Sequence, residues 1–329
     1  MGKVFSPEEI QAGHIPQEGA HEQAGHFLLD QLFEPSSLLS ERQLNLYRTA
    51  TGCIDSAMVY GSTAFGRAGL RSDLDIFVNY REDQTRAALY LLREIFSEIE
   101  ETYRVPVEPN VLPAGALGNP LQHRVDPLFA KHLLEVQGME FPQWSYNDPV
   151  EALKDGVVSN EDTDFLRMVT VKYLNVKALK FSKAQVGYRG EVDLHVMQRG
   201  LELPSAIGRK ILEVTNGEKV AETYCGRRED IAGLLDKRLE EILRGYPKGG
   251  WLATAQTQLS QLDGEYTQLL EATIANPELL PDYVEWLKER YPFVCQASTK
   301  VSRQWANIIG EGLDIKEAPG LTNYGDDYC

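Results

Sequence analysis

Two aspartates one residue apart, Asp73 and Asp75, follow the Gly61-Ser62 pair inside the stretch VYGSTAFGRAGLRSDLDIFV, residues 59–78. In a strand, residues two apart share a face, so the two carboxylates are expected side by side while Leu74, Ile76 and Val78 point into a core. Adjacent like charges repel, and such a pair persists mainly where a cation neutralises it. Gly61 offers an exposed backbone with amide donors and Ser62 a hydroxyl, which is what a metal-bound phosphate wants. Taken together, these residues point to a metal–nucleotide site. Ser-Asp-Leu-Asp is also good turn chemistry, and the upstream Gly-Ser decides in favour of ligation. Arg67 and Arg71, between the two halves, are placed to reach phosphate or simply to meet solvent.

The elements that must position these residues follow from the pattern around them. Ala57–Tyr60 reads as a short strand, residues 63–69 as a small turn or helix, and residues 74–80 as a second strand. Asp83–Tyr103 has helical spacing, with Ala88, Leu91, Leu92, Ile95, Phe96 and Ile99 as its buried stripe. A third apolar run, residues 105–112, places Val105 and Val107 on one face and Glu108 on the other. Pro106 and Pro109 flank that glutamate, and proline belongs to sheet edges, strand starts or bulges. The order strand–turn–strand–helix–strand predicts a small α/β unit over residues 46–115.

Before it, residues 1–45 form an N-terminal helical arm. One helix carries Phe27, Leu28, Leu29, Leu32 and Phe33 and ends near Pro35; Ser40 caps the next, with Leu44 and Tyr47 on its buried side. His14, His21 and His26 are irregularly spaced and read as surface histidines rather than a metal site. Residues 116–160, rich in Gly, Pro and Asn, read as a connector or lid. From Asp164 the chain turns helical, Phe165, Leu166, Val169, Tyr173 and Val176 recurring at three and four residues. Further helices are predicted near Leu203–Val214, Asp230–Leu243, Leu252–Ile274 and Pro281–Tyr291, with a last one from Lys300. Residues 161–310 are thus expected to be a helical bundle, and 311–329 an acidic tail. The fold class expected is α+β, a small mixed sheet followed by an α-helical domain.

The bulk composition narrows the function. A chain of 329 residues has room for about two domains, and 43% apolar with 25% charged residues is ordinary for a soluble globular protein. No run reaches membrane-spanning length and the N-terminus does not resemble a signal peptide, so a cytoplasmic location is expected. Cys53, Cys225, Cys295 and Cys329 are widely scattered and read as reduced thiols. A net charge of −16 argues against extensive nucleic-acid contact. It is compatible with a nucleotide carried by metal ions, a cationic small molecule or a basic protein partner, and equally with mere solubility.

The Gly-Ser, the Asp-x-Asp ten residues on, and a helix leading to a third acidic strand resemble the nucleotidyltransferase superfamily typified by DNA polymerase β. The motif is most similar to its compact bacterial branch, which includes the aminoglycoside nucleotidyltransferases of antibiotic resistance and the minimal nucleotidyltransferases of toxin–antitoxin pairs. The close likeness covers some twenty residues, supported by element order over about seventy. The resemblance implies that Gly61 and Ser62 hold the β- and γ-phosphates of a nucleoside triphosphate, with ATP the expected donor. It implies that Asp73 and Asp75 bind two Mg²⁺ ions, and that Glu108 is the third carboxylate and proton acceptor, Asp126 and Asp193 being alternatives. Among Lys172, Lys177, Lys180 and Lys183 on the first long helix of the second half, Lys180 and Lys183 are taken as triphosphate contacts, a solvated face being the alternative.

The activity implied is transfer of a nucleoside monophosphate to an acceptor hydroxyl with loss of pyrophosphate. A small molecule or a protein is the acceptor expected. A tRNA end, nucleotide coupling into a second messenger, and a non-catalytic nucleotide-binding regulator remain open, as does a partner protein. Arg189 and His195, five residues apart, resemble the Arg-x(4–6)-His motif of HEPN-type ribonucleases, without the polar residue that usually follows the arginine.

Overall fold

The computed structural model describes residues 3–32, 40–64, 66–113, 145–146, 163–208 and 249–312. Most of the connector at 116–160, the helix expected at Asp230–Leu243, Asp126, Cys225, Cys329 and the tail beyond residue 312 lie outside the described residues. The fold is α+β: mostly helical, with one small mixed sheet. The chain divides into two compact units, one of residues 1–3 and 14–158, the other of residues 4–13 and 159–329. Residues 1–45 are thereby shared between the two rather than forming one arm.

In the first unit the helices are α2 (Ala20–Leu32), α3 (Glu41–Cys53), the one-turn α4 (Gly61–Ala64) and α5 (Thr85–Tyr103). The strands are β1 (Ile54–Tyr60), β2 (Leu74–Tyr80), β3 (Val107–Pro113) and the two-residue β4 (Ser145–Tyr146). A short helix α1 (Pro7–Gln11), belonging to the second unit, precedes them in the chain. Strand order is β3-β2-β1-β4, with β2 antiparallel to β1 and parallel to β3. The β2–β3 crossover is α5. Its stripe of Ala88, Leu91, Leu92, Ile95 and Ile99 is buried in one cluster with Ala57 and Val59 of β1 and Leu74, Ile76 and Val78 of β2. Burial of the larger of these side chains contributes about 1.5–3 kcal/mol each, and that fixes which face of β2 turns inward. The opposite face carries Asp75.

Ser40 caps α3 with a full capping box, its hydroxyl accepting from the Gln43 N–H while the Gln43 side chain accepts from the Ser40 N–H. Pro106 precedes β3, and Pro109 lies within it on an edge of the sheet, where a missing N–H is tolerated.

The second unit contains α1, α6 (Thr163–Gly187), α7 (Leu194–Leu201), α8 (Gly249–Ala275) and α9 (Leu280–Ile309). Where two helices were expected, Pro281–Tyr291 and another from Lys300, α9 runs unbroken for 30 residues with Pro292 inside it. Proline removes one helical hydrogen bond, at a cost of about 3 kcal/mol. The helix persists because Tyr291, Val294, Cys295, Ser298 and Val301 continue one buried face across the interruption. Phe5 is also anchored in this unit: its N–H donates to the Tyr266 hydroxyl (3.0 Å), and its carbonyl accepts from the Tyr283 hydroxyl (2.6 Å). The two hydroxyls lie 2.9 Å apart and close a buried ring of hydrogen bonds. Among the described residues, no helix is long and apolar enough to cross a membrane.

Candidate metal centre

Sheet register assembles the acidic cluster. Asp75 stands opposite Tyr60 of β1 on one side and Glu108 of β3 on the other, so the three side chains form one row across three strands. Asp73 lies one residue before β2, not within it, at the end of a tightly tied loop. In that loop the Ser72 N–H donates to the Gly69 carbonyl (2.9 Å) and the Gly69 N–H to the Ser72 hydroxyl (3.0 Å). The Leu74 N–H then donates to the Pro106 carbonyl (2.8 Å), which joins the loop to the start of β3.

Asp73, Asp75 and Glu108 each present a carboxylate oxygen within 4.8 Å of the other two. At that separation two unit charges repel by about 3 kcal/mol at an effective dielectric constant of about 20. Asp73 is buried and the other two are half-buried, so solvent screens the cluster only in part. The Asp73 carboxyl is held below the ordinary carboxylate range. Burial opposes this, and a hydrogen bond from Glu108 is among the interactions that outweigh it. A divalent cation held among the three acids would relieve their repulsion. An all-carboxylate oxygen set suits a hard cation such as magnesium.

Gly61 follows β1 directly with φ +65°, in the left-handed region, and a Cβ there would overlap the Asp75 carboxylate. Only glycine lets the backbone pass beneath that aspartate. The adjacent Ser62 hydroxyl is buried and has no hydrogen-bond partner. Leaving such a group unsatisfied costs about 1–3 kcal/mol, which a bound oxyanion would remove. Both observations fit a metal-chelated phosphate at this place.

The other expected residues are disposed differently. Arg67 is exposed, its N–H donating to the Ser62 carbonyl (2.8 Å). Arg71 is buried, its Nε donating to the Lys3 carbonyl (3.1 Å) while its own carbonyl accepts from the Lys3 N–H (2.6 Å). Lys180, half-exposed, and Lys183, exposed, sit on α6 in the second unit. Lys177, on the same helix, is buried with its ammonium over the Tyr173 ring. Asp193 caps α7 by accepting from the Val196 N–H (3.1 Å). Arg189 donates to the carbonyls of Val186 and Tyr188 (2.9 Å each). His195 is exposed on α7, its imidazole held below its usual pKa by partial burial and by Arg199, Lys177 and Lys180.

Three residues that spacing did not single out border the cluster. The Tyr60 hydroxyl accepts from Asn110 Nδ2 (2.6 Å), and burial, with the charges of Asp75 and Glu108, pushes its pKa far up, so it remains a neutral phenol. Asn110 shares a β3 face with Glu108, two residues on. His21, expected at the surface, is buried and bonded to the Ser72 carbonyl (2.7 Å). Its signal was present in the sequence: it precedes Ala24 by three and Leu28 by seven, the phase of the buried face of α2.

What these features define is a two-unit α+β protein with a glycine-backed acidic cluster at the edge of a mixed sheet. No family model, curated protein or solved structure matches the chain.

Proposed function

We propose that the chain is a magnesium-dependent nucleotidyltransferase, its first unit a nucleotidyltransferase-like catalytic domain and its second a helical acceptor-binding domain. The observation that carries the reading is the coincidence of three converging carboxylates with a glycine lying directly under one of them and an unsatisfied serine hydroxyl beside it. A lone acidic cluster has many explanations. A cluster with a close-passing glycine and an unsatisfied hydroxyl next to it in the chain has fewer.

In this reading Asp73, Asp75 and Glu108 hold the metal, and the Ser62 hydroxyl and the backbone at Gly61 bind the outer phosphates. Two Mg²⁺ ions held there would supply positive charge against the carboxylates and the triphosphate. Glu108 accepts the proton of the acceptor hydroxyl. The hydroxyl oxygen bonds to the α-phosphorus, the bond from that phosphorus to the bridging oxygen breaks, and pyrophosphate leaves. Tyr60, neutral and bonded to Asn110, keeps the Asp75–Glu108 row in place without adding charge. The nucleoside triphosphate is expected to be ATP, and the acceptor a small molecule or a protein hydroxyl.

The test is pyrophosphate release from each nucleoside triphosphate with Mg²⁺, with cell extract supplying acceptors. Wild type should release it and Asp73→Asn should not. Equal release by the two proteins would remove the triad from the chemistry, and none from either with any triphosphate would remove the activity.

A further inference from the structure

We propose that His21 is a positioning residue for the metal centre: its Nε2–H holds the peptide plane from which Asp73 departs. The inference rests on the metal-binding reading above and adds a residue from a different element to it.

The Ser72 carbonyl, which lies 2.7 Å from His21 Nε2, belongs to the same planar peptide unit as the Asp73 nitrogen. A carbonyl oxygen only accepts, so Nε2 carries the proton and donates. On the other side of Asp73, the next peptide unit is fixed by the Leu74 N–H donating to the Pro106 carbonyl (2.8 Å). Asp73 therefore sits between two peptide planes, each pinned by one hydrogen bond, and its carboxylate direction follows from both. The pin from His21 is a rigid one. The ring is 6% exposed, and α2, which carries it, is buried through Ala24, Leu28 and Leu32. Ser72 is tied to Gly69 by the two bonds described above, so the loop presents that carbonyl to the ring in one orientation.

A surface histidine would spend its donor on water, whereas this buried one must satisfy it within the protein. An imidazole spending its buried donor on the peptide bond preceding a metal ligand acts as outer-shell residues do, by orienting the ligand. Conservative replacements separate the two roles. Glutamine places an amide N–H near the Nε2 position; asparagine places it near Nδ1, too short to reach; leucine fills the space with no donor.

The experiment compares wild type, His21→Gln, His21→Asn and His21→Leu by two readouts. One is hydrogen exchange of peptides covering residues 69–75 in metal-free protein; the other is Mn²⁺ affinity by titration. Exchange of this loop should rise about tenfold in the Asn and Leu variants, as expected for one lost buried hydrogen bond, and stay near wild type in the Gln variant. Mn²⁺ binding should weaken by about tenfold in the same two variants, with Gln restoring it. Equal exchange in all four proteins overturns the proposal whether or not metal binds. So does unchanged Mn²⁺ affinity in the folded Asn and Leu variants. If wild type itself binds no Mn²⁺, the metal-centre reading falls, and with it the role assigned to His21 there; the exchange readout then reports only on the loop.

Discussion

Replacing Gly61 with alanine makes the sharpest demand on this account, because two effects coincide there and a neighbouring glycine separates them. At φ +65° an L-residue at position 61 is strained by about 1–2 kcal/mol. Gly66 has φ +62° and open space around its missing Cβ, so Gly66→Ala should cost the same strain and nothing more. At Gly61 the new methyl also meets Asp75, whose Cγ and Cβ lie 2.7 and 3.0 Å from the Cβ position, inside any real contact distance. Because two of these atoms are close to the backbone, the carboxylate must leave its rotamer and with it the row shared with Glu108. Gly66→Ala should melt lower by about 2–8 °C for a unit of this size, and Gly61→Ala by at least as much. Only Gly61→Ala should lose Mn²⁺ affinity, by at least the roughly tenfold that disturbing a ligand's support costs. Mn²⁺ titration beside thermal melts reads both quantities. Equal Mn²⁺ affinity in the two folded variants would refute the placement of Asp75 above Gly61.

Other expectations follow from the same geometry. Mg²⁺ at one hundred times its dissociation constant should stabilise wild type by about 2.7 kcal/mol, seen as a rise in melting temperature. Asp75→Asn should lose that rise and, in EDTA, melt no lower than wild type, since one of three mutually repelling carboxylates is gone. Tyr266→Phe should destabilise the second unit by about 1–3 kcal/mol in urea unfolding, because it removes the hydroxyl that accepts from the buried Phe5 N–H and meets the Tyr283 hydroxyl. Burial pushes the Cys295 thiol up to about 11, from 9.0 when unfolded. The native state therefore holds its proton longer: stability is unaffected below pH 9 and declines as pH rises through about 11. Peptide mapping after iodoacetamide at pH 8 should accordingly find Cys295 unmodified in native protein and modified in guanidinium.

The acidic cluster was legible because its information is local. A period of two places Leu74, Ile76 and Val78 on the core face, and the same period assigns Asp75 to the other. Glu108 was the acid that the family resemblance implied on the third strand, and its flanking prolines, a warning in sequence, agree with an edge strand. What spacing could not supply depends on partners far along the chain. Arg71 reads as a phosphate arm or an exposed side chain until the fold buries it and brings the Lys3 carbonyl to its Nε. The phase of α2 signals that His21 is buried, but its partner, a carbonyl 51 residues away, emerges only when the helix is packed. Pro292 is a helix stop by local energetics, and only the buried face of α9, continued on both sides of it, outweighs the lost hydrogen bond. The acceptor is least legible, since a helical surface carries no periodic signature of what it binds.

The position of the label in the triphosphate distinguishes nucleotidyl transfer from every other use of ATP. Wild type with cell extract and Mg²⁺ should transfer label from α-³²P-ATP onto an acceptor and release label from γ-³²P-ATP as pyrophosphate, with neither occurring in Asp73→Asn. Transfer of the γ label instead, or transfer of either label that survives the substitution, would contradict it.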